Sequence, residues 1–293
     1  MSKYSIKELE KLSGIKAHTI RIWEKRYRIV LPQRSDTNIR SYSDDDLKKI
    51  INVSLLNNNG IKISKIADLT AEELVKKVTE LSESKSSADI HIDQLIVAMV
   101  DLDEENFEYI LNGLILRYGF EKTIITVVYT FLQKIGILWQ TGNISPAQEH
   151  FISNLIRQKI IVAIDSLPLA PKNRPRALLF LPEAELHELG LLFYYYLVKK
   201  EGFRTYYLGQ MVPYKDVVAL CQSHDLKIMV TAITSSPDGH TIQEYLNKLC
   251  KEQPQCTILA SGLILRKMAV KIPSNLHLFD NANELKNLLK PMK

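Results

Sequence analysis

Apolar positions recur three and four residues apart through the first half of the chain, then give way to short continuous apolar runs beyond residue 176. Ile6, Leu9 and Leu12 share one face of a helix that Ser5-Ile6-Lys7-Glu8 opens as a capping box. Gly14 supplies a turn, and a second helix over Ala17 to Tyr27 turns Ile20 and Trp23 inward. Pro32 ends that helical pattern, and the polar stretch Ser35 to Asn38 reverses the chain between two short extended segments. Ser43-Asp44-Asp45-Asp46 then places acids at the positive end of a further helix. A polar stretch places a linker over 76–89. Helical periodicity over 90–167, with breaks near Asp101, Gly119 and Gly142-Asn143, predicts a four-helix bundle. A second linker over 168–176 carries Pro168, Pro171 and Pro175. Strands expected at 177–181, 205–208, 227–233, 257–260 and 276–279 alternate with helices at 188–201, 214–223, 242–251 and 283–289. That alternation predicts a doubly wound parallel sheet. The expected organisation is therefore multidomain: a winged helix-turn-helix (1–75), a helical bundle (90–167) and a Rossmann-like or flavodoxin-like α/β domain (177–293).

Composition alters this picture little. A hydrophobic content of 46% and a charged fraction of 24% are those of an ordinary folded protein. The longest apolar run, Leu189 to Val198, is too short to cross a bilayer, and Met1-Ser2-Lys3 leads into polar sequence without the apolar core of a signal peptide. The expectation is a cytoplasmic protein without membrane attachment. Cys221, Cys250 and Cys256 lack metal-ligand spacing and fit a reducing compartment.

Charge distribution says more than net charge. Lys16, Arg21, Lys25, Arg26, Arg28, Arg34 and Arg40 stand against only Glu24 and Asp36, so much of the net +5 falls on the second helix and the segment after it. Such a cluster is the electrostatic footprint of a phosphate-backbone contact. Two short helices joined by a glycine turn, the second basic, form a helix-turn-helix signature, and Arg34 and Arg40 fall on a wing beside it. Thr19-Ile20-Arg21-Ile22-Trp23-Glu24, Arg26-Tyr27, Pro32, Arg34, Arg40-Ser41-Tyr42-Ser43 and Asp46-Leu47 resemble the MerR family of regulators nearly continuously over some forty residues. The resemblance implies that Arg21, Arg40 and Tyr42 contact the DNA backbone, with His18 and Thr19 near base edges. Lys25, Arg26 and Arg34 complete the expected DNA-binding set.

A second resemblance emerges downstream. Trp139, nine intervening residues and Glu149-His150 match a spacing found in cobalamin-binding MerR-type photoreceptor regulators, where it covers the upper face of the cofactor. Glu185-x-His187-x-x-Gly190, in the loop after the first strand of the sheet, resembles the acid-x-His-x-x-Gly motif whose histidine is the lower axial ligand of cobalt. The chemistry is apt: imidazole binds transition metals, a carboxylate fixes its tautomer, and glycine admits a close neighbour. Ligands on such sheets lie at the carboxyl ends of the strands. The family's serine after the third strand and paired glycines after the fourth line the channel for the nucleotide tail. Thr231 is the candidate substitute for the first, and Ser261-Gly262 stands at the second with one glycine. Gln140 departs from members that carry a histidine after the tryptophan, which puts a bis-histidine photoproduct in doubt.

Together these resemblances imply a transcriptional regulator that binds double-stranded DNA at an inverted-repeat operator and pairs with itself as a dimer or tetramer. Adenosylcobalamin, held by Trp139, Glu149, His150 and His187, would control operator affinity, with light as a candidate signal. Two alternatives stand beside this reading: a regulator with a cofactor-free interaction or dimerisation module, and a cobalamin-dependent methyltransferase or mutase component. The sequence holds no nucleophile–base pair, catalytic metal cluster or phosphate loop, so the expectation is not an enzyme.

Overall fold

A computed structural model describes residues 4–35, 38–84, 88–140, 144–234, 239–262, 264–265 and 272–292, without the side chains of 82–84, 137–140 and 239–241. The chain divides into two compact units, Met1–Ser153 and Asn154–Lys293.

The first unit begins with α1 (Ile6–Ser13) and α2 (Ala17–Tyr27). Glu8 accepts from the Ser5 backbone amide at the start of α1, and Gly14 ends the helix at φ 71°, a left-handed turn that a side chain would strain. Leu9, Ile20, Trp23, Leu47 and Ile50 form the core of this head. A two-stranded wing follows, β1 (Gln33–Arg34) antiparallel to β2 (Arg40–Ser41). Asn38 takes φ 61° in its turn, a conformation asparagine tolerates. Next comes α3 (Asp44–Asn58), which Ser43 and Asp46 cap reciprocally. Two more helices, α4 (Ile63–Ala67) and α5 (Ala71–Ser84), complete the head.

The polar stretch expected to be a linker at 76–89 is instead helical, in α5 to Ser84 and again in α6 (Ala88–Asp101) from Ala88; residues 85–87 lie outside the described set. Its apolar positions explain the error. Leu74 and Val78 lie one turn apart and are buried, so α5 is amphipathic against α3. Helix α3 also packs on α6, where Lys48 lies 2.6 Å from Asp101. Head and bundle therefore belong to one compact unit rather than two bodies on a tether.

The bundle continues with α7 (Glu104–Tyr118), then α8 (Phe120–Thr123), a π-helical turn at Ile124–Val128 and α9 (Tyr129–Gln140) in unbroken succession. Its core includes Leu95, Met99, Phe107, Leu111 and Phe131. The expected break at Gly142-Asn143 lies outside the described residues. Helix α10 (Pro146–Asp165) carries the chain from the first unit into the second.

The second unit is a five-stranded parallel sheet in the order β4-β3-β5-β6-β7: β3 (Arg176–Pro182), β4 (Arg204–Val212), β5 (Leu226–Ala232), β6 (Thr257–Ser261) and β7 (Leu276–Leu278). Nearly continuous apolar strands such as Ala177-Leu-Leu-Phe-Leu181 are what a sheet covered on both faces requires. Helices α12 (Tyr214–Ser223) and α13 (Gly239–Glu252) cover one face, through Val217, Cys221, Leu246 and Leu249. On the other face α11 (Glu188–Lys200) packs beside α14 (Ala282–Leu289). Strand β4 runs four residues beyond the expected 205–208, because Gly209 (φ 75°) and Met211 (φ 54°) absorb a bulge against β3. No described helix is long and apolar enough to cross a membrane.

Candidate DNA-binding face and histidine site

The head displays its positive charge on one helix and one wing. His18, Arg21, Lys25 and Arg26 are exposed along α2, with Thr19 half-buried, and Arg34 is exposed on the wing. Arg34 Nη1 donates to Asn38 Oδ1 at 2.6 Å, which steadies the wing tip. Arg40 is half-buried, its Nε 3.2 Å from Glu24 Oε1. Tyr42, expected at a phosphate, instead lies in the core at 1% exposure, and its hydroxyl donates to Glu24 Oε2 at 3.3 Å. Burial, followed by the nearby Glu24 carboxylate, pushes the phenol up to about 12. Glu24 thus ties α2 to the wing through Arg40 and Tyr42, a role not apparent in the sequence. Tyr4 pairs with Tyr42 across an isolated bridge, which fixes the register of the segment after the wing.

In the second unit the loop after β3 leads into α11, with His187 at its amino-terminal cap. Glu185 is buried at 1% exposure, and both of its oxygens are used. Oε1 accepts from the His187 backbone amide at 2.9 Å and lies 2.6 Å from the ring Nδ1. Oε2 accepts from the Thr234 backbone amide, just past β5, at 2.6 Å. A carboxylate on Nδ1 holds the proton there and makes Nε2 the nitrogen able to ligate a metal. The imidazole is 61% exposed, so a ligand can reach it. Gly190, on the first turn of α11, has nothing within 4 Å of where a side chain would begin. A buried acid, an exposed oriented imidazole and an open glycine fit the lower side of a corrinoid. Among the described residues no group of three histidines, cysteines or acids is placed to hold a metal ion alone.

The remaining candidates divide. Thr231 pairs in register with Ala260, and Ala232 with Ser261. Ala260 belongs to the core under α12 and α13, whereas the Ser261 hydroxyl lies 3.1 Å from that of Tyr194 on α11. Register partners on adjacent strands point to the same face, so Thr231 faces away from Ser261 and cannot share a wall with it. The Thr231 hydroxyl is buried, with no hydrogen-bond partner among the described residues. Beside Ser261 stands Ala232, which sequence reading missed because register across strands is invisible in one chain. Gly262 has a packing reason of its own: at φ 135°, a side chain there would begin 1.9 Å from the Ile233 carbonyl oxygen.

In the first unit Glu149 and His150 lie on α10, with His150 Nδ1 2.9 Å from Glu149 Oε2. The Ser153 hydroxyl donates to the other Glu149 oxygen at 2.8 Å. Trp139 and Gln140 close α9, but their side chains lie outside the described residues.

Residues 4–73 match the family model for MerR HTH family regulatory proteins, and residues 91–163 match that for the B12 binding domain. The HTH-type transcriptional repressor CarH of Myxococcus xanthus is 27% identical to this chain over 73% of each protein. CarA, an HTH-type transcriptional repressor of the same organism, is also 27% identical, over 74% of this chain and 71% of its own. The HTH-type transcriptional regulator MlrA of Escherichia coli (strain K12) is 35% identical over 26% of this chain and 31% of its own. Among solved structures, the monomethylamine corrinoid protein of Methanosarcina barkeri superposes with a TM-score of 0.55. The match covers 71% of this chain and 100% of that one at 15% identity, a likeness of fold. The chain therefore joins a MerR HTH domain to a B12 binding domain.

Proposed function

We propose that this protein is a DNA-binding transcriptional regulator whose affinity for its operator is set by a bound cobalamin, with adenosylcobalamin as the effector form and light as the signal that alters it. The observation that carries the reading is the Glu185–His187 pair: a fully buried carboxylate, held by the Thr234 amide, that meets Nδ1 of a largely exposed imidazole. Structural histidines more often lie within a core; this one is oriented by a buried acid and has a side chain 61% exposed. When bound, a cobalamin would supply a cobalt centre able to take a nitrogen ligand and, in its alkyl forms, a light-sensitive carbon–cobalt bond. His187 would provide that nitrogen, Glu185 would hold its tautomer, and Gly190 would let the ligand approach the backbone.

The other half of the reading rests on the head. Arg21, Lys25, Arg26, Arg34 and Arg40 supply the charge for phosphates, while His18 and Thr19, near the start of α2, would reach base edges. Glu24 positions Arg40. We read the chain as a regulator rather than an enzyme component because the head has no part in corrinoid group transfer, and because CarH and CarA are named repressors. Such a protein would act in the cytoplasm as a dimer or larger assembly on an inverted repeat.

The test is to load the purified protein with adenosylcobalamin in the dark, remove free cofactor and record the visible spectrum before and after illumination. A retained corrin spectrum that light changes is the expected result. A colourless protein that still binds DNA would overturn the cofactor half of the reading.

A further inference from the structure

Among the described residues from Tyr4 to Leu74, the exposed large apolar side chains are Ile22, Leu31 and Ile39, and all three fall within the basic stretch from Lys16 to Arg40. Ile22 stands in the middle of α2 at 53% exposure. Burial fixes which way this helix faces: Ile20 and Trp23 turn into the core of the head. With about 3.6 residues per turn, the opposite side carries His18, Ile22 and Lys25, each one turn from the next. All three are exposed, with Arg21 and Arg26 exposed to either side of them, and the half-buried Thr19 lies at the edge of this face. Leu31 and Ile39 lie beyond α2 and are no part of the crest. The crest of the helix is therefore an isoleucine between two polar side chains, flanked by guanidinium groups.

An aliphatic side chain in that position adds little to the core of the head and nothing to the attraction for phosphates. The chemistry of the partner gives it a use. In the major groove the base edges present hydrogen-bond donors and acceptors and one apolar group, the C5 methyl of thymine. Packing that methyl against an isoleucine removes apolar surface from water on both sides. The flanking arginines would meet phosphates, which position the helix but carry no sequence information. We propose that Ile22 is a specificity-determining residue that reads the methyl group of a thymine in the operator. This inference rests on the DNA-binding reading above and sets Ile22 beside His18 as a side chain facing the base edges.

The experiment selects an operator from random double-stranded DNA with the full-length protein. Its thymines are then replaced by deoxyuridine, which lacks only the C5 methyl, one position or symmetry-related pair at a time. Affinities at fixed salt are compared for the wild type and Ile22→Ala. At one thymine the wild type is expected to lose about three- to tenfold in affinity when the methyl is removed, whereas Ile22→Ala binds the two DNAs alike. Ile22→Val, which keeps a branched aliphatic side chain, should retain part of the discrimination. Binding of unrelated DNA at low salt, carried by the basic side chains, should be unchanged in Ile22→Ala and shows that its head is folded. Three results would overturn the inference while leaving the DNA-binding reading intact. They are an operator without thymine, methyl removal that costs the wild type nothing at any thymine, and an Ile22→Ala protein that keeps the full wild-type loss at every sensitive thymine. Failure of the wild type to bind DNA at all would overturn both.

Discussion

Two glutamate–histidine pairs stand in this chain, and they are built differently. Glu185 is buried and uses both oxygens on fixed partners, the Thr234 amide on one side and the His187 amide and ring on the other. Its position is set by a loop and a strand end brought together by the parallel sheet. Glu149 and His150 are adjacent on one helix, with side chains 33% and 73% exposed, and among the described residues the Ser153 hydroxyl also bonds the carboxylate. An exposed polar contact of this kind is worth little by itself and readily changes geometry. The first pair is fixed by partners distant in sequence; the second rests on local contacts along one helix. Preorganisation of a metal ligand comes from the groups behind it, and of these two histidines His187 is the one with a buried carboxylate behind it.

The largest expected effect breaks the comparison at its stronger end. His187→Ala should weaken cobalamin retention by more than ~100-fold, because it removes the axial nitrogen itself, as read by dialysis of the loaded protein. Glu185→Gln keeps the shape but loses the charge that fixes the ring, and should weaken retention by about 10- to 100-fold. Retention as strong as wild type in that variant would mean that the buried carboxylate serves only the fold. The head offers the same contrast between exposed and built-in groups. Arg21→Ala should weaken DNA binding by about tenfold and reduce the salt dependence by about one phosphate contact. Tyr42→Phe, by contrast, should leave DNA affinity nearly unchanged and lower stability by about 1 kcal/mol, measured by thermal unfolding, since its hydroxyl serves Glu24. The smallest effect sits at the weaker pair: Glu149→Gln should change cobalamin retention by less than about threefold. A loss matching that of Glu185→Gln would mean that the two carboxylates contribute equally to holding the ligand.

Much of this architecture could be read from residue order. Ser5 with Glu8, Gly14, Pro32 and Ser43 with Asp46 punctuate the head, and their effects are local. The strands of the sheet announce themselves as apolar runs with helices between them. What escaped the reading depends on contacts distant in sequence. Helix α5 is polar enough to look like a linker, and its structure is explained by Leu74 and Val78 packing against α3. Tyr42 carries a polar hydroxyl and falls beside basic residues, yet Tyr4, nearly forty residues earlier, pairs with it and helps bury it. Thr231 and Ser261, both expected to line the channel for the nucleotide tail, stand on opposite faces of the sheet, because register pairs Thr231 with Ala260 and Ser261 with Ala232. Of the histidine site, the motif was legible, but the Thr234 amide that completes it comes from just past the end of β5, brought to Glu185 only by folding.

The most direct measurement of the central claim begins with an operator selected from random double-stranded DNA by the full-length protein. Affinity for that operator is then measured at fixed salt for the cofactor-free protein, for the protein loaded with adenosylcobalamin in the dark, and for the loaded protein after illumination. Loading is expected to change the dissociation constant by about tenfold or more, the scale of an ordinary allosteric coupling, and light to reverse the change. Equal affinity in all three states, with the cofactor demonstrably bound, would contradict it.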